Sequence, residues 1–101
     1  MSYRIVITYT KTAETPADAF KTMPVLKPDG DVTQEQITAL DAAHPVEWDT
    51  RIINDQMIIQ NTFLSQEDYE ARNNDPIIKN LQAQRKAWAN DNHIIINIRV
   101  L

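Results

Sequence analysis

The chain has 101 residues, 43% of them apolar and 24% charged, with a formal net charge of -4, a composition that fits one globular domain with a single core, here residues 1–101. It has no cysteine, which excludes disulfide scaffolds, thiol nucleophiles and thiolate metal sites, and its negative charge argues against nucleic acid as a partner. No apolar run approaches the ~20 residues of a membrane span, and the opening MSYRIVITYT lacks the basic and apolar regions of a secretory signal, so a cytoplasmic protein is expected.

Tyr3 to Tyr9 alternates between Tyr3, Ile5, Ile7 and Tyr9 on one side and Arg4, Val6 and Thr8 on the other, the period of a half-buried strand. From Thr10 to Pro45 the text changes, with four of the five prolines and the only glycine, Gly30. Thr15 before Pro16 has the form of a helix start, and the run Ala17 to Met23 is expected to be a short helix ended by Pro24. The text PVLKPDGD is loop. Thr33 and Gln36 have capping-box spacing, followed by an apolar stripe of Ile37, Leu40 and Ala43 before Pro45.

The stretch from Val46 to Leu64 reads as a β-hairpin around Asn54 and Asp55, residues that tolerate the left-handed backbone of a tight turn. With Ile53 opposite Gln56, the pairs Ile52/Met57, Thr50/Ile59, Trp48/Asn61 and Val46/Phe63 share one face. Glu47, Asp49, Arg51, Ile53, Gln56, Ile58, Gln60, Thr62 and Leu64 fall on the other. Burial of Trp48, Met57, Ile59 and Phe63 would pin this register, because a one-residue slip exchanges the faces.

Ser65 with Asp68 repeats the capping-box spacing and starts a short helix, which Asp75 and Pro76 restart. The run PIIKNLQAQRKAWAN then forms an amphipathic helix of about four turns, with Ile77, Ile78, Leu81 and Trp88 inward and Lys79, Arg85 and Lys86 on a solvated face. HIIINIRVL closes the chain as a strand, with Ile94, Ile96, Ile98 and Val100 on one side and His93, Ile95, Asn97, Arg99 and Leu101 on the other. The order is β, helical excursion, β-hairpin, α, β: an α+β, ferredoxin-like βαββαβ pattern, in which helices cover one face of a four-stranded antiparallel sheet. Helices are expected over the more apolar face, including Ile5, Trp48, Ile52, Ile59 and Ile98. The opposite face, with Val6, Ile53, Ile58, Ile95 and Leu101 among charges, suits a contact surface. The last strand lies at an edge with no lysine or proline to blunt it, which implies a partner strand or sheet.

A βαββαβ chain of this length, whose third strand runs directly into a capped acidic helix, NTFLSQEDYEARNNDP, resembles the dimeric α+β barrel, or dimeric ferredoxin-like, proteins. The resemblance implies a homodimer whose two sheets face one another with helices outside. It implies no single activity, since those proteins include cofactor-independent monooxygenases, haem-degrading enzymes, isomerases and members without known activity. A pocket in the barrel or a cleft between sheet and helices are the two places such proteins hold ligands.

Several residues qualify as carriers of chemistry. His93, at the start of the last strand, could serve as acid or base, although a strand-entry histidine with no carboxylate at motif spacing is the plainer account. Arg4, Arg51 and Arg99, with Gln60 and Asn97 on the same face, could hold the head of an anionic amphiphile, or serve only in ion pairs such as Arg51 with Asp49 or with Glu47 of a second copy. Asn61, beside Trp48 on the apolar face, is polar where the surroundings are aliphatic, and buried polar groups need partners. Asn61 and Trp48 in a helix-sheet cleft resemble the sparse polar equipment of cofactor-independent oxygenases, while a bond from Asn61 to the backbone of the excursion is the alternative. No metal site or cofactor is implied: His44 and His93 have no ligand spacing, and no phosphate loop is present. The functional expectation is a homodimer that binds a small apolar or amphiphilic molecule. The alternatives are a cofactor-independent monooxygenase-like or isomerase-like enzyme, with His93 or Asn61 as its candidate catalytic groups, and an assembly protein without a ligand.

Overall fold

A computed structural model of the chain describes residues 2–101. Its four strands, β1 (Tyr3–Thr10), β2 (Val46–Ile53), β3 (Gln56–Phe63) and β4 (Ile95–Val100), make one antiparallel sheet in the order β2-β3-β1-β4. Three α-helices accompany it: α1 (Gln34–Ala43), α2 (Gln66–Asn73) and α3 (Pro76–Asp91). This is an α+β chain with the ferredoxin-like strand order, in which the first strand lies between the third and the last.

The hairpin has the register its alternation demands, with Val46 opposite Phe63, Trp48 opposite Asn61, Thr50 opposite Ile59 and Ile52 opposite Met57. Asn54 takes a positive φ of 52° in the turn, which its short polar side chain tolerates better than a branched one. β1 aligns Ile7 with Ile59 on one side and with Ile98 on the other. One row across the sheet is therefore Thr50, Ile59, Ile7 and Ile98, apolar at its three isoleucines.

Helix starts follow their signals. The Thr33 hydroxyl accepts from the Gln36 amide and the Gln36 side chain accepts from the Thr33 amide, a complete capping box. Ser65 caps α2 by accepting from the Asp68 amide, and Asp75 caps α3 by accepting from the Ile77 amide, with Pro76 in the first turn.

The core concentrates at one end of the sheet. Tyr9, Met57, Ile59, Trp88, Ala89 and Ile94 are all buried together. Trp88 meets the Tyr9 ring edge-on at 5.6 Å, a favourable arrangement of two quadrupoles, and its indole N–H donates to the Thr22 hydroxyl over 3.1 Å. At the other end Phe63 meets Tyr69 edge-on at 4.9 Å, and Tyr3 lies 5.2 Å from the same tyrosine ring.

Four expectations need correction. The helix expected from Ala17 to Met23 is one 3-10 turn, Ala19–Thr22. Thr15 does not cap it, because its hydroxyl accepts from the Thr12 amide and donates to the His93 carbonyl. β4 begins at Ile95 rather than His93, since α3 runs on to Asp91 and His93 takes a positive φ of 57° to turn the chain. Trp48, Ile52 and Ile98 are not covered by helices: they are 62%, 61% and 59% exposed, although Ile96, earlier on the same strand as Ile98, packs against the core, so the helices stop short of β2 and of the far end of β4. Val6, expected to be exposed, is buried between its cross-strand neighbours Gln60 and Arg99, whose long stems can cover it. No helix among the described residues is long and apolar enough to cross a membrane.

Candidate ligand cleft between sheet and helices

The uncovered sheet surface continues inward as a cleft of about 740 Å³, within the range of small-molecule sites. Its floor is the helix-side face of the sheet, with Ile5, Ile7, Ile59, Trp48 and Ile98. Alternation along four registered strands puts these side chains on one side. Its roof is α3, through Ile78, Leu81, Gln82, Arg85 and Lys86, residues whose three- and four-residue spacing places them on neighbouring positions of one helix face. Met23, Val25 and Leu26 of the excursion form one rim. That rim is tied to the roof by the Arg85 Nε–H, which donates to the Pro24 carbonyl over 2.8 Å.

Asn61 lies in the floor next to Ile5 and Trp48. Asn61 stands two rows along the sheet from Met57 and Tyr9, the pair at the end that Trp88 closes. Thr50 adds a second polar group to the floor. The cleft is thus mostly apolar with a few polar groups converging on it, the usual constitution of a site that orients an organic molecule.

The opposite face of the sheet holds the other candidates apart. Its cross-strand rows read Asp49, Gln60, Val6, Arg99 and then Arg51, Ile58, Thr8, Asn97. Arg51 and Arg99 lie on opposite edge strands, about 14 Å apart by three strand spacings. Arg4 is on β1, in the row of Thr62. The three guanidinium groups therefore do not form one anion site within a single chain. Arg51 instead pairs with Asp49 of its own strand at 3.1 Å, with both side chains exposed, an arrangement of little energetic weight.

His93 belongs to neither face. Its Nδ1 lies 3.3 Å from Glu14 Oε2, both exposed, and its carbonyl accepts from the Thr12 and Thr15 hydroxyls at 2.7 and 3.0 Å. It fastens the excursion to the end of α3, and it does not line the cleft. His44 caps the end of α1 and places Nδ1 2.7 Å from Asp68 Oδ1.

Two features of the cleft escaped the sequence. Arg72, in a short acidic helix, is buried at 5% exposure, and its Nη1 donates to Asp41 Oδ1 at 2.9 Å and to the His44 carbonyl at 3.0 Å. It joins α2 to the end of α1 and forms part of the cleft wall. Arg85, read as solvated, is half-buried and lines the cleft, while Lys86 stands exposed at its mouth. Only their spacing from Ile78 and Leu81 hinted at this.

No known protein family's sequence profile matches the chain, and no curated protein is recognisably similar to it in sequence. Among solved structures it is similar to that of Rv0793 from Mycobacterium tuberculosis, with a TM-score of 0.65 at 13% identity over 100% of this chain and 93% of that one. A de novo designed protein, Foldit4, superposes with a TM-score of 0.45 at 11% identity, over 100% of this chain and 97% of the designed one. At 13% identity the likeness to Rv0793 is one of fold: an α+β chain built on a four-stranded antiparallel sheet.

Proposed function

We propose that this protein binds a small, largely apolar organic molecule in the cleft between its sheet and α3. One observation carries this reading: a cleft of about 740 Å³ reaches a floor where Trp48 and Ile98 are more than half exposed. Apolar surface held open in a concave site favours an apolar occupant, because each Å² removed from water contributes about 25 cal/mol.

Native mass spectrometry of the purified chain tests the reading, with a retained organic molecule as the expected result. Thr50→Trp, on an edge strand where an aromatic is well tolerated, fills the cleft and is expected to abolish retention without loss of folding. Retention undiminished in Thr50→Trp would contradict the cleft as the site.

Dimerisation through the opposite face belongs to the same proposal. Ile53, Ile95 and Leu101 are exposed there at 52%, 59% and 60%, and β4 presents an unblunted edge. About a twofold axis along the strands, β2 of one copy lies over β4 of the other, which brings Asp49 opposite Arg99 because both stand in the row of Gln60 and Val6. A self-complementary surface of this kind is what an isologous contact needs. Sedimentation is expected to give a dimer at micromolar concentration and a monomer for Ile58→Asp; a monomeric parent chain would contradict the contact.

A further inference from the structure

The charges around the cleft define its occupant more closely, on the condition that the cleft is the ligand site. The chain carries 14 acidic and 10 basic residues, yet among the described residues no acidic side chain lines the cleft and three cationic ones do, Arg72, Arg85 and Lys86. Arg72 is already matched by Asp41 at 2.9 Å. Arg85 and Lys86 form no ion pair among the described residues. The Arg85 Nε–H is committed to the Pro24 carbonyl, which fixes the plane of the guanidinium at the rim and leaves its two terminal nitrogens available. A guanidinium held in this way loses little freedom when it meets an anionic group, and the half-buried position of Arg85 strengthens the attraction relative to open solvent.

We propose that the cleft selects an organic anion, with its apolar body on the Trp48, Ile59 and Ile98 floor and a carboxylate, sulfonate or phenolate group on Arg85 and Lys86. An anion at this rim offsets a local excess of positive charge that the protein itself leaves unmatched. A neutral molecule of the same shape gains the floor contacts and lacks the rim contacts.

Two fluorescent probes of similar size separate these contributions: the anionic anilinonaphthalene sulfonate and the neutral phenylnaphthylamine, each titrated into the full chain. Arg85→Gln combined with Lys86→Gln is expected to weaken the sulfonate about tenfold, the scale of charge-assisted bonds, and to leave the neutral probe within about twofold. Lys21→Gln combined with Lys79→Gln removes the same net charge away from the cleft and is expected to change neither probe. Arg85→Lys keeps the charge and is expected to keep most of the sulfonate affinity. Equal weakening by the two double variants, equal weakening of both probes, or a loss in Arg85→Lys as large as in Arg85→Gln would overturn anion selection while leaving an apolar cleft intact. Failure of the parent chain to bind either probe would instead overturn the cleft as a site, and anion selection with it.

Discussion

Replacing Arg72 gives the sharpest view of how the cleft wall is held. The side chain is 6% exposed and its Nη1 serves two acceptors, the Asp41 carboxylate and the His44 carbonyl. These acceptors differ in what happens when the guanidinium is lost. Asp41 is 46% exposed and can return to water, so its share of the ion pair is small. The His44 carbonyl at the end of α1 is left without its donor, which costs about 1–3 kcal/mol, and the loss of the buried stem adds to that. Arg72→Ala is therefore expected to lower unfolding free energy by about 3 kcal/mol, Arg72→Met by about 2 kcal/mol because the apolar stem remains, and Asp41→Asn by about 1–2 kcal/mol, because the amide oxygen still accepts from Nη1 while the buried guanidinium loses its counter-charge. For a chain of this size, Arg72→Ala should lower Tm by about 12–24 °C. Urea titrations followed by far-ultraviolet circular dichroism measure all three. Equal losses in Asp41→Asn and Arg72→Ala would refute the reasoning, because they would make the ion pair, and not the carbonyl bond, the source of the stability.

The hairpin turn and the core end supply further tests. Asn54 sits at φ 52°, so Asn54→Gly should leave stability within about 0.5 kcal/mol, whereas Asn54→Val should cost about 1–3 kcal/mol; thermal melts of the pair decide it. Trp88→Phe removes the donor to Thr22 and part of a buried ring, and is expected to cost about 2–3 kcal/mol in denaturant titration. A cost below ~0.5 kcal/mol would mean that this ring does not close the core end.

Much of the architecture was legible because local and global signals agree. The alternation around Asn54 and Asp55 specifies the hairpin register, the Thr33 and Gln36 spacing specifies a cap that forms in full, and Asp75 with Pro76 marks the start of α3. The excursion was less legible, since Thr15 has the form of a cap while its hydroxyl is drawn off by Thr12 and His93, the second far away in sequence. His93 could not be placed from alternation alone, because its left-handed turn precedes the strand. The cleft was half legible. Asn61 stood out as the polar exception on an apolar face, but exposure of Trp48, which was expected to be buried, depends on how far the helices reach across the sheet, which no local pattern records. Arg72 carried no signal, since its partners come from α1, 28 and 31 residues earlier.

Nuclear magnetic resonance mapping of a bound neutral probe tests the cleft most directly. Titration of phenylnaphthylamine into the labelled chain is predicted to shift the Trp48 indole and the methyl groups of Ile7, Ile59 and Ile98, which line the cleft, and to leave Ile53, Ile58 and Ile95 of the opposite face unmoved. Shifts confined to Ile53, Ile58 and Ile95 would contradict it.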